Sequence, residues 1–187
     1  MVVTGVIVLV SGVVLANYNQ FGGKIKLQNL AYDVALSIRE AQVYGISVAG
    51  FSVGTTNSYS TGYGVHFAAN DPTHYELFAD VNGNGIYNPS SGSDGNVPPS
   101  PYTISSGYKI SRLCAPKGDD RETCTSVSSL DILFKRPESD AWISAERQSC
   151  ILSSPYCQPS ARIVLKSPRG DFMSVIVEDN GQISVSK

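Results

Sequence analysis

The chain has 187 residues, of which 16% are charged, and its formal net charge is −2. This length allows one domain with an appendage. The small negative charge gives no electrostatic reason to expect nucleic acid or anionic lipid as a partner. Ser, Gly, Asn, Thr and Tyr supply most of the polarity, and this composition is common among exported proteins.

The first sixteen residues, MVVTGVIVLVSGVVLA, contain no charged side chain. A helix of this length is about 24 Å long, which is shorter than a bilayer's hydrocarbon core of about 30 Å. The stretch is too apolar for a surface helix, and it lacks the basic start and the cleavage site of a secretory signal peptide. We therefore expect lipid or other helices of the same kind to cover it. The residues expected to form this spine are Val6, Ile7, Val10, Val13 and Val14.

The residues after Gly23 predict an amphipathic continuation of this helix. Apolar side chains recur there with the i, i+3, i+4, i+7 spacing of a helix that buries one face. The predicted apolar face contains Ile25, Leu27, Leu30, Ala31, Val34, Ala35, Ile38, Ala41 and Val43. The predicted polar face contains Lys26, Asn29, Asp33, Ser37 and Glu40. The residues expected to dock this helix on a sheet are Leu27, Leu30, Val34 and Ile38.

Beyond Gly45 the pattern changes to short segments rich in β-branched and aromatic residues, separated by turn residues. Seven or eight strands are predicted, and EDNGQISV is a strong hairpin signal. The predicted fold class is α+β, with a long N-terminal helix, hydrophobic in its first third, packed on an antiparallel sheet or sandwich. The predicted division is a transmembrane or filament-core segment, 1–23, and a globular domain, 24–187, in which an amphipathic helix, 24–45, precedes an antiparallel β domain, 46–187.

Four cysteines lie in the C-terminal half, and neither histidine is near any of them. Without a CxxC pair, a zinc site is not expected. Three disulfide connectivities are possible. We favour Cys114–Cys124 and Cys150–Cys157, because short loops close at the lowest entropic cost. Disulfides indicate an oxidising compartment; the alternative is four reduced thiols in the cytosol.

The stretch DVNGNGIYN is the clearest candidate for a metal site. Its alternating oxygen-bearing residues follow the first, third and fifth positions of an EF-hand-like loop, with Gly85 at the sixth. Such hard oxygen ligands suit calcium. The candidate ligands are Asp80, Asn82, Asn84, Ile86 through its carbonyl, and Asn88.

The twelfth position of this loop holds Ser91 in place of the usual bidentate glutamate, and Asp94 is the candidate substitute. We therefore expect weak affinity, of about 10⁻⁴ to 10⁻³ M. The alternative interpretation is an Asn-Gly β-turn that holds no metal.

Two other motifs indicate structure more than chemistry. GFSVG, residues 50–54, matches the GxSxG nucleophile elbow, but a helix precedes it and strands follow, which is the reverse of the order that the elbow requires. Residues 168–171, PRGD, contain an adhesion tripeptide and are predicted to form a hairpin turn. No catalytic residue is assigned, and the chain is not expected to be an enzyme.

The chain resembles type IV pilins and type II secretion pseudopilins, and more narrowly their GspH/FimT group. The resemblance rests on LQNLAYDVALSIREAQVYGISVAG, on YELFADVNGNGIYN and on the closing strands. It implies a pilin-like fold and a minor subunit that waits in the membrane with its β domain outside the cytoplasm. That subunit is then assembled into a filament by burial of its N-terminal helix.

This resemblance implies other pilin or pseudopilin subunits and membrane lipid as partners. The family's basic leader and its Phe-Thr-Leu-Ile-Glu-Leu-like start are not present in the chain, so we expect Met1 to fall several residues inside the family's helix. Some FimT-type pilins bind DNA through a C-terminal Gly-Arg-x-Arg segment, which the ending GQISVSK lacks. The C-terminal basic residues considered for a cluster across strands are Lys135, Arg136, Arg147, Arg162, Lys166 and Arg169. The alternative function is a single-span surface adhesin or calcium-dependent binding module outside any filament.

Overall fold

The computed structural model describes residues 2–47, 51–53, 56–58, 61–89, 94–151 and 154–187. Within these ranges no side chain is described at 14–21, 51–53, 56–58 or 154. One α-helix, α1, spans Val2–Ile46, and a 3₁₀ turn spans Ser154–Tyr156. The strands in the described ranges are β1 Phe51–Val53, β2 Thr56–Ser58, β3 Gly62–Ala68, β4 His74–Asp80, β5 Asp94–Asn96, β6 Tyr102–Thr103, β7 Lys109–Cys114, β8 Ser126–Val127, β9 Ser129–Phe134, β10 Ala141–Ala145, β11 Ser160–Lys166, β12 Phe172–Glu178 and β13 Ile183–Ser186.

The strands form two large antiparallel sheets and a separate hairpin. The first sheet has the order β10-β9-β3-β4-β5, and β6 pairs with the other end of β4. The second sheet has the order β13-β12-β11-β7-β8, and β1 pairs with β2 alone. Because β4 and β5 are neighbours at one end of the first sheet, the loop between them lies at that sheet's edge.

Both sheets and the helix share one hydrophobic core. Side chains of a strand alternate between its two faces, so Ala161, Ile163 and Leu165 of β11 point into the core while Arg162 and Lys166 lie on the other face. Strands of both sheets contact α1, chiefly β3 and β9 of the first sheet and β12 and β13 of the second. The helix residues in this core are Leu27, Ala31, Val34, Ile38 and Ala41, with Leu30 and Ala35 partly buried against them.

The predicted fold class, α+β with a long N-terminal helix packed on an antiparallel sheet or sandwich, is wrong. The described chain is mostly β, with 36% of it in strands and two antiparallel sheets. Helical residues with described side chains fall into a stretch of about 12 and a stretch of 25 residues, and those of the first stretch are all exposed. The prediction underestimated the strands: it expected seven or eight, and the described residues contain thirteen, several of only two or three residues.

The faces of the helix also differ from the prediction at three positions. Ile25 and Val43, expected on the buried face, are exposed. Ser37, expected on the polar face, is buried, where its hydroxyl pairs with the Tyr75 hydroxyl at 3.1 Å and donates to the Asp33 carbonyl. The small serine is accommodated because a tyrosine from β4 supplies a polar partner inside the core.

Both disulfides are present, with the connectivities favoured from the sequence. Cys114–Cys124 joins the end of β7 to the segment before β8, and Cys150–Cys157 closes the region after β10. The described residues contain no free cysteine. Two local disulfides are typical of a protein in an oxidising compartment.

The two hairpins predicted from turn residues are formed. In Pro168–Asp171 the Gly170 amide donates to the Ser167 carbonyl at 3.0 Å, and this turn joins β11 to β12. In the second turn the Asn180 side chain accepts from the Gln182 amide at 2.9 Å, and β12 pairs with β13.

Candidate functional site

Two regions of the described chain are candidate sites because packing within the chain does not explain their side chains. They are the outer surface of α1 and the loop between β4 and β5. The first is apolar and the second carries buried carboxylates.

Residues 2–13 are exposed at every position and carry no charge. We call them the apolar stretch. The predicted spine residues Val6, Ile7, Val10 and Val13 are each more than half exposed, and the side chain of Val14 lies outside the described residues. The large apolar side chains of the stretch are Val2, Val3, Val6, Ile7, Val8, Leu9, Val10 and Val13. A contiguous apolar surface of this kind marks an interaction site.

A second apolar surface runs along the outside of the packed part of the helix. Ile25, Tyr32, Leu36 and Val43, which we call the outward line, are 45%, 50%, 64% and 56% exposed. With 3.6 residues per turn each of their directions lies within about 20° of the mean. The core-facing residues of the helix lie on the opposite side. The outward line was not predicted from the sequence, because its residues and the core-facing residues both recur with spacings typical of one side of a helix.

The outward line is in phase with the apolar stretch. Continued along the same helix, its direction passes within about 40° of Val3 and Ile7. The helix therefore presents apolar side chains on one common side in both of its described stretches. No helix in the described residues is long and apolar enough to cross a membrane.

The loop after β4 is organised by the carboxylate of Asp80, which is 1% exposed. Asp80 Oδ1 accepts the Asn84 amide at 3.1 Å, and Oδ2 accepts the Gly85 amide at 2.8 Å. Gly85 has a φ of +73°, a left-handed conformation that glycine adopts without strain. The sharp turn predicted from the glycine therefore brings the loop backbone onto the first carboxylate.

The two asparagines predicted as ligands continue this arrangement. Asn82 Oδ1 accepts the Asn84 amide at 2.9 Å, and Asn84 Oδ1 accepts the Ile86 amide at 2.9 Å. Because the Asn84 amide donates to both Asp80 Oδ1 and Asn82 Oδ1, these two oxygens lie on the same side of that peptide group. The structure thus brings together the side-chain oxygens of the first and third positions.

The other two predicted ligands are engaged by protein donors. The Asn88 side-chain nitrogen donates to the Ile86 carbonyl at 3.1 Å, and Arg147 donates to Asn88 Oδ1 at 3.3 Å. The twelfth position, Ser91, lies outside the described residues. The oxygens of Ile86 and Asn88 therefore accept hydrogen bonds from the protein, as those of Asp80, Asn82 and Asn84 also do.

Asp94, the predicted substitute for the twelfth position, lies against the loop. It is directly opposite Asp80 in the pairing of β4 with β5, so both side chains are on the same face of the sheet. Its Oδ2 accepts the Asn88 amide at 2.7 Å. The residue is 9% exposed, and among the described residues its buried Oδ1 has no hydrogen-bond partner.

Burial dominates the electrostatics of this carboxylate pair. It raises the pKa of Asp94 to about 6; the Asn88 and Val81 amides oppose this shift, and the charges of Asp80 and Asp131 add to it. Burial also raises the pKa of Asp80, although the amides of its own loop and the Lys135 ammonium lower it. Both groups are therefore harder to ionise than ordinary aspartates, as expected where buried carboxylates lack a full counter-charge.

A third buried carboxylate holds the end of the loop in place. Asp131 Oδ1 accepts the Tyr87 amide at 3.2 Å and pairs with His66 Nδ1 at 2.7 Å. The Tyr87 ring packs on Phe78 and on the His66 ring. Sequence analysis missed Asp131, although an acid within the apolar strand SLDILF was a usable signal.

The remaining motifs lie apart from these regions. Arg162 is buried and donates to the carbonyls of Lys117, Gly118 and Asp119, while Lys166 lies over the Phe172 ring. Gly50 and Gly54 of the GxSxG match are outside the described residues. In the part of the chain that the structure describes, no three His, Cys, Asp or Glu side chains are grouped to hold a metal ion.

Comparison of the chain with protein-family models, with curated proteins and with solved structures finds no match. The function is therefore argued from the two regions themselves.

Proposed function

We propose that this chain is a non-enzymatic structural subunit of a helix-cored filament, of the kind formed by type IV pilins and type II secretion pseudopilins. The GspH/FimT group of minor subunits is the one that its sequence resembles. The observation that carries the proposal is the uncharged apolar stretch at residues 2–13, which is exposed at every position.

The eight large apolar side chains of this stretch are exposed, so covering them is energetically favourable. Burial of one fully exposed Val, Leu or Ile side chain contributes roughly 1.5–3 kcal/mol. Because these eight are on average about two-thirds exposed, covering all of them is worth roughly 8–16 kcal/mol. Residues 2–13 are exposed in the described chain, so folding of the chain does not gain this free energy. Association with similar helices recovers it.

The outward line supports helix-to-helix packing as the form of that association. Its spacing of seven, four and seven residues matches the seam of packed helices. Because the line lies opposite the core-facing residues, a neighbouring helix can approach without displacing the β sheets. The filament core would therefore extend beyond the apolar stretch into the packed part of α1.

The disulfides support a location for the β sheets on the oxidising side of a membrane. In the proposed pathway the apolar stretch waits in lipid, with the sheets outside the cytoplasm, and then moves into the filament core. Both environments are apolar, so the transfer is nearly isoenergetic and a separate motor can drive it. The partners are lipid first and other subunits afterwards.

A second candidate is a cell-surface adhesin or calcium-dependent binding module that is anchored singly and joins no filament. The loop between β4 and β5 favours it, since its carboxylates and amide oxygens are calcium-type donors. In that case the apolar stretch would remain in lipid.

Fractionation of the producing cells separates the two candidates. Surface filaments are sheared off, and peptides of this chain are quantified by mass spectrometry in the filament, membrane and soluble fractions. The proposal predicts enrichment in the filament fraction together with other filament subunits. Recovery in the membrane fraction alone would contradict the filament role and favour the anchored module, and recovery as a soluble monomer would contradict both.

A further inference from the structure

The edge of the first sheet carries an arrangement that the filament proposal does not use. Asp80 ends β4 and Asp94 begins β5, and the two are directly paired across the strands. Directly opposed residues have Cβ atoms about 4.5–5.5 Å apart, and like charges in such a pair destabilise a sheet. Both residues are nevertheless almost fully buried.

The described protein supplies no complete counter-charge to this pair. The ion pairs found among the described residues are His66–Asp131, His74–Asp71 and Lys117–Glu178, so none includes Asp80 or Asp94. Lys135 lowers the pKa of Asp80 without forming such a pair. A buried charge normally requires pairing or a metal.

The unpartnered oxygen of Asp94 is the observation that points to a ligand. Buried polar atoms are nearly always hydrogen-bonded, so an exception requires an explanation. The other two exceptions among the described residues, Ser129 Oγ and Asp131 Oδ2, do not belong to the Asp80–Asp94 pair. Asp94 Oδ2 is fixed by the Asn88 amide. This bond holds the carboxylate against the loop, and among the described residues Oδ1 has no donor.

We propose that Asp80 and Asp94 are the two carboxylate ligands of a calcium site, completed by the side-chain oxygens of Asn82 and Asn84. Two carboxylates neutralise one divalent cation, and calcium accepts further amide and water oxygens in flexible geometry. The donor set contains only oxygen, whereas zinc favours nitrogen and sulfur. Magnesium keeps more of its bound water, so we expect it to bind this site more weakly than calcium.

The site differs from the EF-hand order in its closing ligand. Asp94 approaches from the paired strand β5, so the metal would join β4 to β5 at the edge of the sheet. Calcium would thereby hold the Asp80 loop in its observed turn. The inference depends on residues distinct from the apolar surfaces of α1 and stands independently of the filament role.

The direct test is titration of the full chain, stripped with EDTA and dialysed, with calcium chloride by calorimetry, and with magnesium chloride in parallel. We expect a dissociation constant of about 10⁻⁴ to 10⁻³ M for calcium, weaker binding of magnesium, and a calcium-dependent rise in melting temperature. Absence of both heat and a melting shift at calcium concentrations about ten times the upper value would overturn the site.

Asp94→Asn tests the closing ligand. It keeps an oxygen for the Asn88 amide and removes the buried charge, so in EDTA it should melt no lower than the unmodified chain. Its calcium affinity should fall at least about tenfold, since even changes around a metal ligand cost 10–100-fold. The control is Asp140→Asn, the same change at an exposed position. Unchanged affinity in Asp94→Asn would contradict the assignment.

Asn82→Asp provides a gain-of-function test that does not depend on the fate of Asp94→Asn. Asn82 is exposed, so the substitution adds a third carboxylate without disturbing the core. Calcium affinity should increase, because the number of charged ligands tunes affinity in such loops. An unchanged or weaker affinity would contradict the placement of the ion at this loop.

Discussion

The two stretches of α1 are built from similar apolar residues and have opposite relations to the rest of the molecule. Residues 2–13 are exposed all round, whereas in residues 22–46 the inward side chains, such as Val34 and Ile38, are completely buried. The second stretch still keeps Leu36 and its neighbours on the outward line in solvent. The inward face of the helix therefore stabilises the fold, whereas the outward face is free to contact another protein or lipid.

The largest expected difference between the two faces comes from introducing the same charge on each. Ile38→Asp places an unpaired carboxylate in the core and should cost more than about 4 kcal/mol or prevent folding. Leu36→Asp, two residues away on the exposed face, should change stability by less than about 1 kcal/mol. Urea unfolding of both variants in the same mild detergent measures the difference. Similar losses in the two variants would contradict the assignment of the faces.

A smaller effect is expected from two glycines of α1. A Cβ at Gly45 would lie 2.4 Å from the Phe134 carbonyl oxygen, so Gly45→Ala must push the helix end away from β9 and should cost about 1–3 kcal/mol. A Cβ at Gly22 would meet no described atom within 4 Å outside the neighbouring helix backbone, and Gly22→Ala should stabilise the helix by up to about 1 kcal/mol. Thermal melting shows whether each substitution raises or lowers the melting temperature. Equal shifts in the same direction would show that α1 does not dock as described.

Local features were predictable from the sequence. The pairs Cys114–Cys124 and Cys150–Cys157 follow from short separations, and the Asn180 turn follows from the preference of Asn-Gly for tight hairpins. The Asp80 loop was recognisable because its oxygen-bearing side chains and its glycine lie within a few residues of one another. In every case the determining contact is between near neighbours in the chain.

Long-range contacts were not predictable. Ser37 is buried because Tyr75, thirty-eight residues later, provides a hydroxyl partner. Asp94 faces Asp80 because β5 pairs with β4, and the Tyr87 amide is held by Asp131 from β9. The fold class was wrong for the same reason, since strand pairing decides how many short segments become separate strands. Ile25 and Val43 were assigned to the buried face because they are apolar, although each lies two residues from a core-facing residue and therefore on the other side of the helix.

The most direct test of the central claim, that the outer surface of α1 is buried by other copies, is the mass of the full chain by sedimentation in detergent-free buffer. The unmodified chain should form large assemblies. Ile7→Glu/Leu36→Glu should shift the mass towards the monomer, whereas Lys24→Glu/Lys26→Glu, exposed and about 100° to either side of the outward line, should leave it unchanged. A monomeric unmodified chain, or equal masses for the two double variants, would contradict the account.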